Sequence, residues 1–259
     1  MNLSPGDSVL LAVAGLLAGV MNAVAGGGTF LTFPALVFTG IASVSANQTS
    51  TIAVFPGQFA SFWAYRKILA AQTRTVVVLG VASLLGGAAG AIILLNTSTP
   101  AFDLLVPWLL LCATLMFAFG NHFRRRLGLR LVGASGEIGW NALGKTAFLQ
   151  LIIGIYGGFY GAGAGILELA VLDMLGFEDI HLANALKVIL TTAFNTLAVV
   201  IFLAVGKIYW TAGFIVGMAT IVGGYSGAWI AQRLPEAWVR GFVIAVGAVM
   251  TVYFFLRLK

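Results

Sequence analysis

The sequence predicts an all-α polytopic membrane protein made of two related halves. Three observations carry that expectation. Mean hydropathy is +1.03, and only 8% of the 259 residues are charged, whereas a soluble domain carries about 25%. The apolar residues fall in long continuous runs, not in the short alternating segments of a membrane β-barrel. Finally, the chain repeats itself: "GVASLLGGAAGA" at 80–91 returns as "GMATIVGGYSGA" at 217–228.

Ten apolar segments are expected, at roughly 8–25, 28–40, 46–64, 75–95, 103–120, 146–162, 164–176, 182–204, 209–230 and 235–256. The second and seventh are short for a span, which needs about 20 residues, so they read as half-helices or re-entrant pieces. Eight to ten segments would then cross the membrane.

The connection after the third segment holds Arg66, Lys67 and Arg74. The long connection at 121–145 holds Arg124, Arg125, Arg126, Arg130 and Lys145. Two crossings separate them, and the positive-inside rule makes that shared side cytoplasmic. The net charge of +6 and pI near 9.8 are therefore topology signals, and nucleic acid is not an expected partner. Lys207, Arg233, Arg240, Arg257 and Lys259 leave the C-terminal side open. The chain divides into a first repeat at 1–120, a basic cytoplasmic loop at 121–145 and a second repeat at 146–259. No Lys or Arg precedes the first apolar run, which argues against a cleaved signal peptide. Cys112 stands alone, excludes an internal disulfide and reads as a packing residue.

The repetition extends upstream. Ala46-Asn47 matches Ala183-Asn184 at the same offset as the first pair of stretches. Gly19, Gly26 and Gly28 match Gly154, Gly161 and Gly163 at an offset two residues shorter. "NAVAGGGTFL" (22–31) thereby pairs with "GFYGAGAGIL" (158–167). Five crossings per half would make the repeat inverted. If the first two segments of each half make one crossing, the total is eight and the repeat is parallel. The inverted form is the expectation, because matched interruptions in inverted halves are a recurring transporter design.

Each glycine in a helix interior costs about 1 kcal/mol relative to alanine, so three in a row mark a break. Irregular backbone at membrane depth survives only where protein buries it or water reaches it, and freed N–H groups there suit a polar ligand. Asn22, Gly26, Gly27 and Gly28 are the candidates at the first break, and Tyr160, Gly161 and Gly163 at the second, with Thr29 and Tyr156 flanking. Gly86–Gly90 and Gly223–Gly227 are G-x-x-x-G patterns within apolar runs and read as close helix packing.

The polar run Asn47, Gln48, Thr49, Ser50 and Thr51 has two readings. One is an N-cap and interfacial turn; the other is a set of neutral donors lining a substrate path. Its counterpart, "ANALKVILTTAFN" (183–195), places Asn184, Lys187, Thr191 and Asn195 near one helix face. A charge inside the membrane costs at least ~2.5–3.5 kcal/mol. Lys187 either snorkels to the interface or is buried facing an anion or Glu168. Glu168 and Asp173, in the seventh segment, are each a candidate partner for Lys187 or carrier of a coupling proton. His181 reads as a loop or cap residue. No metal-ligand spacing is present. "GASG" (133–136) formally matches the motif of rhomboid-type intramembrane proteases, but it sits in the basic loop beside Glu137 with no deep histidine in a later span. No enzymatic activity and no cofactor are expected.

The paired signatures, 19–54 and 154–195, resemble those of the TauE/SafE sulfite exporter family: a glycine-rich break, Pro34, a glycine near the end of a short segment, then a Thr-Ser run. The likeness covers nearly the whole chain. The second half departs where Leu169 or Ala170 stands in place of a proline, and Glu168 is an acidic insertion. The resemblance implies movement of sulfite or another sulfur-containing organic anion across a bacterial inner membrane. The function expected is a secondary transporter alternating access between two repeats. A passive anion channel on the same frame is the alternative. The partners expected are a small anion, the lipid bilayer, a coupling proton and a second copy of the chain.

Overall fold

The structure, a computed structural model, describes residues 3–24, 27–65, 73–127, 140–174, 177, 180–231 and 236–257. Among these residues the chain is all helix, with no strand. The first half holds α1 (Pro5–Val24), α2 (Thr29–Phe38), α3 (Ser43–Tyr65), α4 (Thr73–Leu95) and α5 (Thr99–Leu127). The second holds α6 (Trp140–Phe159), α7 (Ala164–Met174), α8 (Ile180–Val205), α9 (Trp210–Ala231) and α10 (Glu236–Arg257). The ten helices fall on the ten apolar segments, and α2 and α7 are the short ones, at 10 and 11 residues. Arg124 to Arg126 belong to the end of α5 and Lys145 to α6. Arg66, Lys67, Arg130 and the "GASG" stretch lie outside the described residues.

Among the described residues three helices are long and apolar enough to cross a bilayer by length and composition: Pro5–Asn22, Thr73–Leu95 and Leu182–Val205. Shorter apolar stretches lie at Thr29–Phe38, Thr99–Leu115, Leu143–Phe159 and Ile244–Arg257. Large apolar side chains cover the outside, among them Val77, Leu85, Ile92, Phe148, Phe214 and Val222. A surface so apolar is suited to lipid, and the chain is an integral membrane protein. Cys112, expected as a packing residue, is exposed on α5, where its weakly polar thiol is tolerated at an apolar surface.

The halves interlock by exchange. α1 packs on α9 of the other half, and α6 packs on α4. A side chain on Gly15 would meet Val216 and Ala219, and one on Gly19 would meet Thr220, Gly223 and Gly224, so α1 and α9 run in the same direction. Gly86 and Gly90 meet Leu151, Gly154, Ile155 and Gly158 in the same sense on α6. The two seams use matching glycines, Gly19 against Gly223 and Gly154 against Gly86. Lipid supplies no hydrophobic force between helices, so close backbone approach at small residues carries the association.

After each break the chain turns back. Gly28 approaches Ala18 and Asn22, and Glu168, early in α7, reaches Gln150, near the middle of α6. α2 is seated by rings: Phe33 packs against Phe102 at 6.2 Å, Tyr160 at 5.5 Å and Phe254 at 5.8 Å. Such pairs contribute roughly 0.5–1.5 kcal/mol beyond their buried area.

Candidate functional site

Both breaks open onto one cavity of about 580 Å³. The first contributes Asn22, Gly27 and Thr29, and the second Gly161, Ala164 and Gly165. Gly27 (φ 110°) and Gly161 (φ 76°) occupy left-handed backbone that a side chain disfavours. A side chain from the preceding helix clasps each break. The Gly27 and Gly28 N–H groups donate to Asn22 Oδ1 at 3.1 and 2.7 Å, and Tyr156 Oη donates to the Ala162 carbonyl at 2.6 Å.

The remaining walls are matched faces of α3 and α8. Thr51, Val54 and Gln58 stand on α3; Asn184, Val188, Thr191 and Asn195 stand on α8. The spacings, three and four residues on α3 and four, three and four on α8, are those of one helical face. The two faces meet where Asn195 Nδ2 donates to Gln58 Oε1 at 2.8 Å, between residues 137 apart. That separation is the repeat offset, so the contact joins the same position of the two halves. Thr220, Ile221 and Tyr225 of α9 complete the lining. The Gln58–Asn195 pair is expected to show coupling of about 0.5–1.5 kcal/mol in a double-alanine cycle of unfolding in detergent. Additive single variants would show that the two amides act independently.

Lys187 projects into this cavity from α8 and is only 4% exposed. Among the described residues its ammonium has no hydrogen-bond or ion-pair partner, and no acidic side chain lines the cavity. Its counterpart at the repeat offset is Ser50, whose hydroxyl shares a 2.6 Å hydrogen bond with Thr32. The cavity's formal charge therefore comes from one half only.

The other candidates are placed elsewhere. The polar run of α3 lies inside the helix, not at its cap, since α3 begins at Ser43. Asn47 Nδ2 donates to the Phe159 carbonyl at 3.0 Å. Gln48 Oε1 accepts from the Lys207 N–H at 2.9 Å, and Thr49 Oγ1 from the Tyr209 N–H at 3.2 Å. These three side chains fasten the end of α6 and the link between α8 and α9, and with Ser50 they stand off the cavity wall. Gly28 and Gly163 are packed behind the breaks, Gly163 against Phe30 and Ala113. Tyr160 is fully buried among rings. Gly26 lies outside the described residues, as do the side chains of Asp173 and His181. Glu168 does not face Lys187: its Oε2 accepts from Gln150 Nε2 at 2.9 Å, on the α6 side of α7. The expected Glu168–Lys187 competition is thus not made in this arrangement, because α7 turns that carboxyl toward α6 and the ammonium points into the cavity.

Sequence reasoning missed Gln58, Thr220 and Gln150. The repeat offset pointed to Gln58 as the counterpart of Asn195.

The match to the family model "Sulfite exporter TauE/SafE" runs from residue 11 to residue 254. The chain belongs to the TauE/SafE family. It is 28% identical to a "Probable membrane transporter protein" of Haemophilus influenzae, over 93% of this chain and 92% of that one. It is 25% identical to the "Probable membrane transporter protein YfcA" of Escherichia coli, over 94% and 87%. A "Probable membrane transporter protein ORF9" of a Sinorhizobium species is 22% identical over 93% and 90%. No solved structure matches this member of the family.

Proposed function

We propose that the protein is a secondary transporter of a small anion, sulfite or a sulfur-containing organic anion, in the bacterial inner membrane. The observation that carries this reading is the unpaired Lys187 ammonium in a cavity bounded by both breaks. A buried cation without a protein partner is strongly disfavoured, and an anion supplies the missing charge. Asn184, Asn195, Gln58 and Thr191 offer amides and hydroxyls around it. The helix N-termini at Thr29 and Ala164 direct their positive dipole ends to the same space.

Alternating access follows from an inverted repeat. One observation supports that topology: α2 and α7 fold back after their breaks, which gives each half five segments of alternating direction and sets the second half opposite to the first. The chain then passes the membrane many times, and α3 and α8 rock about the Gln58–Asn195 contact.

Counterflow in proteoliposomes tests the reading. Preloaded unlabelled sulfite or an alkyl sulfonate should drive saturable uptake of the labelled anion against its gradient. Unitary currents without saturation or counterflow would instead make the frame an anion channel and overturn the transporter reading.

A further inference from the structure

Glu168 on α7 is fully buried, at 0% exposure. Oε2 accepts from Gln150 Nε2 at 2.9 Å, and the same nitrogen donates to Ser83 Oγ at 2.8 Å. Among the described residues Oε1 has no hydrogen-bond partner. Among the described residues the carboxyl's one hydrogen-bond partner is therefore the neutral amide of Gln150, which Ser83 holds in turn.

The helices packed on α7 are α5, α6 and α8. Of their titratable groups with described side chains, Asp103 and Cys112 stand on α5, Lys145 and Tyr156 on α6, and Lys187 on α8; the side chains of His122 and Arg124 to Arg126 on α5, His181 on α8 and Asp173 on α7 lie outside the described residues. None of these reaches Glu168; Tyr156 is engaged with Ala162, Lys187 faces the cavity, and Cys112 and Lys145 are exposed. Tyr160, at the start of the second break, has its hydroxyl buried without a hydrogen-bond partner among the described residues.

The fold does not require this cluster. Gly15 stands at the position of Gln150 in the first half, Thr220 at that of Ser83, and Phe33, fifth after the break's last glycine, at that of Glu168. There Gly15 packs directly on Val216 and Ala219, and Phe33 sits among rings. The same frame is built without a carboxyl, so the acidic group in the second half is an addition that packing alone does not call for.

We propose that Glu168 is a proton-binding site, separate from the anion cavity, that couples transport to a proton gradient. This rests on the transporter reading above. The carboxylate takes up one proton to become the neutral acid, which a fully buried site with no cation beside it among the described residues favours, and releases it when the moving halves open the site to water. Gln150, itself held by Ser83, donates to the carbonyl oxygen of the acid.

Infrared difference spectroscopy of the reconstituted protein is the test. The spectrum of the wild type minus Glu168→Gln should contain one protonated-carboxyl carbonyl band that disappears on alkaline titration. Gln150→Leu, which removes the hydrogen bond to the carbonyl oxygen, should move that band to higher frequency. A difference spectrum without the band, or a band indifferent to Gln150→Leu, would overturn the assignment. In proteoliposomes, a pH gradient should drive sulfite accumulation by the wild type and not by Glu168→Gln; accumulation surviving in the variant would overturn the coupling role. Sulfite counterflow by the wild type, read first, reports on the transporter reading, whereas the infrared band stands or falls without it.

Discussion

Replacing Lys187 with methionine is expected to weaken anion binding by about ten- to a hundredfold. A hydrogen bond to a charged group contributes about 1.5–3 kcal/mol, and each 1.4 kcal/mol is a factor of about ten. Methionine keeps the unbranched stem, so the packing of α8 is preserved. The direction of the stability change separates binding from structure. An unpaired buried charge opposes folding, so the Lys187→Met protein should melt at the same temperature as the wild type or higher. A variant that loses anion exchange and also melts early would assign Lys187 a structural role. Equilibrium binding of labelled sulfite and thermal melting in detergent read the two quantities.

The second large effect is expected at Gly87. A Cβ there would overlap the Phe194 backbone, at the contact between α4 and α8. Backbone cannot rotate away as a side chain can, so α4 must move. Overpacking of this kind costs about 1–3 kcal/mol, and a larger residue such as leucine should exceed that range. Gly80, on the same helix, has nothing near its would-be Cβ. Gly87→Leu should lower the melting temperature sharply and reduce folded yield, while Gly80→Leu should be neutral or stabilising through helix propensity. Equal losses in both variants would show that the glycines serve α4 itself and not its contact.

How much of this was legible depends on the kind of signal. Helix number and the short α2 and α7 followed from hydropathy run length, because membrane spans must satisfy their backbone internally. The two breaks followed from glycines repeated at one offset, and the structure opens both onto one cavity. The polar run Asn47 to Ser50 shows where such reading ends. Its residue types suit an anion, yet Asn47, Gln48 and Thr49 bond backbone groups more than a hundred residues away. A single helix period cannot tell a side chain facing a cavity from one facing a neighbouring helix. Glu168 was visible as an intruder in the repeat, but its partner Gln150 was not, because only the reversal after the second break brings them together.

The central claim is that one anion sits between the two breaks, held by Lys187. The most direct measurement is an experimental structure with selenite, the heavier analogue of sulfite, located by its anomalous scattering. The predicted result is a selenium peak in the cavity, with an oxygen within hydrogen-bond distance of Lys187 Nζ and the anion between Gly27 and Gly161. A peak elsewhere in the protein, or an empty cavity under conditions that support exchange of the anion, would contradict the account.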